Sequence, residues 1–341
     1  MSQLGQTRKC SLRVDRVRFA PDSGLKADIA LCPISANSGH NAWRHNLRQP
    51  QLEGFLFVRR WCLLPGVGVT RMRGSLGDKI GEGAFADVHA WAPGQVVKLF
   101  KASVPSWVGA HEARMTRAVF AAGGPAPEVL DEFTLEGRYG VVLPRLDGPT
   151  LMHLSRSGAV TFEQAGTIIA TLAISVHKTH PPPDVPSLHD FMESSLRLSG
   201  GMLPKHIATG VLALIERLSP GDGLCHSDLH PGNVIMTADG PRLVDWTGTV
   251  RAPTAFDLAC THVVLSELAP EISDKPERPR AVNAAAQSEY ARLAGTFAAK
   301  LTAAMEPYLP IVRVRVLLGG AVPTLRERLI QRIEADLHSE D

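Results

Sequence analysis

Leu224-Cys-His-Ser-Asp-Leu-His-Pro-Gly-Asn233 is the stretch on which the reading of this chain turns. Within it stand His226, Asp228 and Asn233, and a further acidic residue, Asp245, lies inside Pro241-Arg-Leu-Val-Asp-Trp246 at the end of an apolar run. This is the pattern of a phosphoryl-transfer site, in which one carboxylate orients a substrate hydroxyl while an amide and a second carboxylate hold magnesium on nucleotide phosphates. Phosphoryl transfer is mostly positioning and charge stabilisation, so these groups belong on short, stiff elements. Asp, Asn, Gly and His are also common in solvated turns. A turn does not call for four functional positions at once.

Upstream, Lys79-Ile-Gly-Glu-Gly-Ala-Phe-Ala-Asp-Val-His-Ala-Trp91 reads as a strand, a glycine-bearing turn and a second strand. The turn, with Gly81 and Gly83, lies between strands, which excludes a Rossmann fingerprint or a Walker loop, since each opens a helix. Gln95 to Phe100 reads as a third strand carrying Lys98, and Ser106 is expected to cap a helix through Phe120 that carries Glu112. A lysine on a strand most often faces water, and Glu112 alone would be an ordinary helix carboxylate. In this order the two fit a phosphate-binding lysine and its partner. Leu135 to Leu146 reads as a hairpin turning at Glu136-Gly137, and Asp147-Gly148-Pro149 breaks the chain after it.

Beyond that break the sequence turns helical. Thr161-Phe-Glu-Gln164 is a capping box opening a helix to about His177. Further helices are expected at Ser187-Leu-His-Asp190 onward, Pro204–Leu218, Thr254–Leu268, Ala281–Ala304, Ile311–Leu318 and Pro323–Leu337. The fold class is therefore α+β in two lobes: a small antiparallel sheet with one helix over 74–146 and a larger, mainly helical lobe over 147–341, hinged near Pro144. Residues 1–73 show no sustained period and carry a net charge of +8, against −6 for the rest. They are expected to be poorly ordered, or upstream of a true start near Val67 or Met72.

The mildly acidic body gives no support for nucleic-acid binding. Five cysteines in 341 residues make no disulfide framework. Gly54–Val69, the nearest approach to a membrane span, is broken by Arg59-Arg60. A cytoplasmic protein without a membrane partner is expected.

Taken together, Gly81/Gly83, Lys98, Glu112, His226-x-Asp228, Asn233 and Asp245 resemble the protein-kinase-like superfamily. His226-Ser-Asp-Leu-His-Pro-Gly-Asn233, Val244-Asp-Trp246 and Phe256-Asp-Leu-Ala259 are more narrowly similar to the aminoglycoside phosphotransferase and choline kinase group, over about residues 78–340. The third glycine of the loop is Ala86 here. The resemblance implies ATP and Mg2+ as cofactors. It makes Asp228 the residue that orients or deprotonates the acceptor, and Asn233 and Asp245 the metal ligands. Lys98 would meet the α- and β-phosphates, Glu112 would hold Lys98, and Val88 would cover an adenine face. Leu143, Pro144 and Leu146 would form the adenine hinge, with the Pro144 carbonyl accepting and the Leu146 N–H donating. Asp257 would brace the catalytic loop.

Ser227 stands where protein kinases carry an arginine, and 12 positions from Asp245 to Asp257 leave no room for a long activation segment. A small-molecule hydroxyl acceptor fits better than a protein: an aminoglycoside-like compound, a sugar or an amino alcohol. Residues 251–341 hold 11 Lys/Arg and 12 Asp/Glu, so no strongly acidic pocket for a polycation is evident. Glu267, Glu271, Asp274 and Glu277 form an acidic run that a solvated helix end also explains. Two alternatives stay open, a regulatory module that keeps the fold without transfer and an atypical protein kinase.

Overall fold

The structure, a computed structural model, describes residues 75–320 and 323–338. The expectations for residues 1–73 fall outside them. Strands β1 (Lys79–Glu82), β2 (Ala86–Ala90), β3 (Gln95–Phe100), β4 (Asp131–Leu135) and β5 (Arg138–Pro144) form one antiparallel sheet in the order β1-β2-β3-β5-β4. Glu136 and Gly137 both adopt positive φ, the geometry of a tight two-residue hairpin. Helix α1 (Ser106–Ala121) lies on one face of the sheet. Pro105 rather than Ser106 occupies its N-cap, and no side chain caps it.

Side chains alternate across β3 with period two. Val97 and Leu99 pack with Trp91, Phe133 and Val142 on the outer face. Phe100 joins Ala86, Ala113, Tyr139 and Val141 beneath α1. Lys98 shares the α1 face, which is why this lysine points inward.

The hinge leaves β5 across Gly148, whose φ of 155° and passage against the Met236 carbonyl, 2.0 Å from where a Cβ would sit, admit no side chain. A short helix that the sequence reading did not anticipate, α2 (Leu151–Ser157), follows with Thr150 as its cap. Helix α3 (Phe162–Lys178) opens on the expected capping box, both of whose bonds form. Helices α4 (Leu188–Leu198) and α5 (Lys205–Arg217) come next.

Two small antiparallel pairs then frame the quoted stretch. β6 (Gly223–Cys225) pairs with β9 (Val250–Ala252), and β7 (Val234–Thr237) with β8 (Gly240–Leu243). A 3-10 turn over Pro231–Asn233 joins β6 to β7.

Helix α6 (Thr254–Val263) continues through a π-turn over Val264–Leu268 into the short α7 (Ala269–Ile272). The single helix expected over Ala281–Ala304 is two, α8 (Glu277–Leu293) and α9 (Ala298–Met305). Gly295 at φ 65° ends the first, with Thr296 N–H returning to the Ala291 carbonyl. Helices α10 (Leu309–Leu318) and α11 (Pro323–His338) complete the chain. Among the described residues no helix is long and apolar enough to cross a membrane.

One large apolar core fills the helical part and takes in Leu224, Cys225, Leu229, Val234, Leu243 and Trp246 around the quoted stretch. Met115 and Val119 of α1 belong to it as well, so α1 is shared between sheet and helices. Close packing of α3 on α8 depends on Gly166: a Cβ there would lie 2.5 Å from Ala285 Cβ and 2.6 Å from the Ala286 nitrogen. Gly166→Ala is therefore expected to lower stability by about 1–3 kcal/mol, the usual cost of overpacking. Urea denaturation measures this; an unchanged midpoint would remove the packing constraint.

Candidate active site

Each half of the site is fixed by its own local structure, and the two meet at an ionic cluster. Lys98 Nζ donates to both oxygens of Glu112, at 2.6 and 2.8 Å, and lies 3.4 Å from Asp245 Oδ2. Thr247 Oγ1 is 2.9 Å from Glu112 Oε2 and 2.9 Å from Asp245 Oδ1, so its single proton serves one carboxylate at a time. Strand β3, helix α1 and the segment after β8 thus converge on one lysine. Burial alone would depress that lysine, but the charges of Asp245 and Glu112 outweigh it and hold its pKa above the ordinary lysine value.

Asp228 follows β6 in a loop with almost no slack. His226 is fully buried, and its Nε2–H donates to the Val244 carbonyl at 3.2 Å. That tautomer leaves Nδ1 to accept the Asp228 N–H, also at 3.2 Å. Burial lowers the His226 pKa and keeps the ring neutral, as both bonds require. The ring also meets Trp246 edge-on, with centroids 4.6 Å apart. Asn233 Nδ2 donates to the Asp228 carbonyl and to Asp228 Oδ2, each at 2.9 Å. This turns Asn233 Oδ1 the other way.

Two non-glycine residues here have left-handed backbones, Ser227 at φ 67° and Asp245 at φ 68°. Such geometry costs on the order of 1–3 kcal/mol per residue and persists where surroundings over-determine it. At Ser227 the fixing groups are visible. Its N–H donates to Asp257 Oδ1 at 2.5 Å, Asp257 Oδ2 accepts from His177 Nε2 at 3.0 Å, and His177 Nδ1 meets the Tyr290 hydroxyl at 2.8 Å. Burial works against the Asp257 carboxylate, but the hydrogen bond and charge of His177 prevail and keep its pKa below the ordinary range. His177 and Tyr290 carried no sequence signal: each is an apolar-face residue of a helix, paired across 113 positions.

The remaining expected residues lie in the strands of the sheet, in the turn between β1 and β2 and in the hinge after β5. Val88 lies opposite Lys98 in the β2–β3 ladder, and Gly81 opposite Val88 in β1–β2. Gly83 N–H donates to the Ala86 carbonyl at 2.8 Å. Gly83 has neither a positive φ nor a close neighbour, the nearest atom to a Cβ there being 3.5 Å away. Along the hinge, Arg145 N–H donates to the Gly94 carbonyl at 2.9 Å. Orientation alternates along an antiparallel ladder, so the neighbouring Pro144 carbonyl points away from β3. β4 reaches only as far as the partner of Val142, leaving that carbonyl beyond the ladder.

The model of the phosphotransferase enzyme family matches residues 88–296, more than half of the chain and the whole of this constellation except the glycine turn before Val88. The chain belongs to this family. The fold is shared with solved structures: a putative fructosamine-3-kinase from Haemophilus somnus superposes with a TM-score of 0.53 at 13% identity, covering 78% of this chain and 92% of that one. An aminoglycoside-3'-phosphotransferase of type VIII gives 0.49 at 21% identity, over 73% and 93% of the two chains. A choline kinase from Cryptosporidium parvum gives 0.47 at 14%, over 83% and 94%. No curated protein matches the chain. As a phosphotransferase, the chain presents a protein-kinase-like α+β fold in which sheet and helices meet at the ionic cluster.

The acidic run is structural in part. Glu267 pairs with Arg313 and Arg332, and Glu271 with Arg328. These carboxylates are neutralised by the phosphotransferase's own C-terminal helices.

His111, beside Glu112 on α1, has its pKa pushed down to about 4 by burial and then by the charge of Arg114, whose Nη2 donates to its Nδ1 at 3.2 Å. A histidine depressed in the folded state stabilises fully above its unfolded pKa and loses that contribution as pH falls through the folded one. The phosphotransferase should therefore lose stability as pH drops from about 6.5 toward about 4. His111→Gln should lose less over the same interval in urea titrations. Equal losses in the two proteins would remove His111 from this dependence.

Proposed function

We propose that this phosphotransferase moves the γ-phosphoryl group of ATP to a hydroxyl of a small organic acceptor, an aminoglycoside-like compound, a sugar or an amino alcohol, with Mg2+. One observation carries the reading: Lys98, Glu112, Asp245 and Thr247 form a single bonded cluster joining a sheet strand, α1 and the segment that follows Asp228 and Asn233. That is the arrangement phosphoryl transfer needs, in which charge is positioned in advance.

In this reading Asp228 accepts the proton of the acceptor hydroxyl or orients it, and the Asn233 bond to Asp228 Oδ2 holds the carboxylate for that task. Lys98, kept charged, meets the α- and β-phosphates, and Glu112 keeps it in place. Among the described residues no group of three or more His, Cys, Asp or Glu side chains forms a metal cage. Magnesium needs none, since it binds through one or two protein oxygens, phosphates and water. The Asp245 carboxylate and the outward Asn233 Oδ1 are such oxygens. Bound there, the ion would neutralise charge on the phosphates.

Gly81 and Gly83 would let the backbone of the turn approach the phosphates; the open space beside Gly83 suits that role. Val88 would cover the adenine from the sheet. Leu143 lines the hinge, with the Pro144 carbonyl accepting from the adenine amine and the Leu146 N–H donating to the ring. The division of labour follows residues 74–146 for nucleotide and 147–341 for catalysis and acceptor. Cytoplasmic ATP would supply the phosphoryl donor.

For the acceptor, an aromatic cage for a quaternary ammonium has little to draw on. Of the aromatic residues after Asp245, Trp246, Phe256, Tyr290 and Tyr308 are buried in the core, and among the described residues of that segment only Phe297 is open. A polyhydroxylated acceptor is favoured over choline.

The test is magnesium-dependent ADP release against aminoglycosides, sugars and amino alcohols. Asp228→Ala should lower kcat by about 10²- to 10⁴-fold, the range for loss of a general base, with nucleotide affinity retained. Lys98→Ala should lower kcat/KM for ATP by about 100-fold or more. Full turnover by Asp228→Ala would remove that carboxylate from the mechanism. Nucleotide binding without transfer to any acceptor would favour a regulatory module.

A further inference from the structure

The carbonyl of Ser227, one bond from Asp228, is not left to solvent. It accepts from Arg315 Nη1 at 2.9 Å, a residue of α10 lying 88 positions further along the chain. The same nitrogen donates to Cys260 Sγ at 3.3 Å, and burial pushes that thiol up to about 12, so it stays a neutral acceptor. The guanidinium lies over the rings of Phe191, at 5.3 Å, and Phe256, at 5.9 Å. Among the described residues no carboxylate pairs with it within ion-pair distance. A half-buried cation without a carboxylate, stacked on aromatic faces and aimed at a peptide oxygen, is arranged to hold that peptide.

Gly248 supplies a second, independent observation. A Cβ at this position would stand 2.7 Å from Arg315 Nη2, yet 3.4 Å from the His226 carbonyl oxygen and 3.5 Å from Ser227 Cβ. The group that a side chain here would have to displace is therefore the guanidinium, at the movable end of Arg315, and not the loop.

We propose that Arg315 is a positioning residue that clamps the Ser227–Asp228 peptide and through it aims the Asp228 carboxylate, with Gly248 as the space the guanidinium requires. The inference rests on the catalytic role given above to Asp228. The peptide is then held at both ends, its carbonyl by Arg315 and its N–H by His226 Nδ1. The preceding N–H is held by Asp257. This is what keeps Ser227 in its left-handed conformation and leaves Asp228 ready without an activating modification.

The experiment compares wild type, Arg315→Ala, Arg315→Lys, Gly248→Ala, the Arg315→Ala/Gly248→Ala double variant and Asp228→Ala. It follows ADP release from MgATP with water as acceptor, binding of ADP, and amide exchange of the peptide spanning Leu224–Asn233. Arg315→Ala should lower kcat by about 10- to 100-fold, since a displacement of about 1 Å at a reacting group costs that much. ADP affinity should be unchanged, exchange in the peptide faster, and guanidinium ion added in solution should restore part of kcat. Arg315→Lys should retain more activity than Arg315→Ala. Gly248→Ala should be damaging in the wild type and nearly neutral in the Arg315→Ala background.

Wild-type kcat and exchange in Arg315→Ala, beside an inactive Asp228→Ala, overturns the clamp and leaves the catalytic reading standing. Strictly additive effects of Arg315→Ala and Gly248→Ala overturn the spatial coupling. Turnover by Asp228→Ala defeats the catalytic reading instead, and the exchange data alone then decide whether Arg315 orders the loop. Should Arg315→Ala fail to fold, Arg315→Lys and Gly248→Ala carry the same comparison.

Discussion

The ammonium of Lys98 is the charge around which this molecule is assembled. It comes from β3, meets both oxygens of Glu112 from α1 and lies beside Asp245, while Thr247 reaches the same two carboxylates from the far segment. Burying one charge without partners would cost several kcal/mol, and removing one member of a buried pair costs about 3–5 kcal/mol. The sheet, the helix and the segment after β8 are therefore tied in position by an electrostatic demand that none of them could meet alone. Because α1 also gives Met115 and Val119 to the core of the helical part, the cluster rests on a shared apolar base.

The loop that carries Asp228 follows a different principle. Among the described residues it makes no charge pair as tight as Lys98 and Glu112. Its order comes from backbone groups assigned one partner each: Ser227 N–H to Asp257, Ser227 carbonyl to Arg315, Asp228 N–H to His226, and the Asp228 carbonyl to Asn233. Most of those partners come from helices α6 and α10 or from the loop's own side chains. A left-handed Ser227 is tolerated because these bonds fix the peptides on both sides of it.

Much of this was legible in the residues. The capping box at Thr161 and Gln164 starts α3 where expected, since a cap is a local bond that sequence records directly. Alternation along Gln95–Phe100 places Lys98 on the inner face for the same local reason. Helix ends were less visible. One helix was expected across Ala281–Ala304, and Gly295 with its left-handed backbone divides it. Helix α2 and the pairs β6–β9 and β7–β8 are too short for a period to show, and their pairing spans distances that sequence does not encode locally.

By itself, the sequence determined which chemical groups exist and how the local chain presents them: Asp228 and Asn233 at a fixed spacing, Asp245 after a strand, Lys98 on a strand and Glu112 on a helix. The tertiary structure alone decided which of these groups meet. It paired Lys98 with Asp245, set His177 and Tyr290 behind Asp257, neutralised Glu267 and Glu271 with arginines, and brought Arg315 to the Ser227 carbonyl. The reason is physical. Spacing and capping are set by bonds within a few residues, whereas these pairings join groups up to 147 positions apart, which only the packing of helices and sheet around a common core brings into hydrogen-bonding and ion-pairing distance.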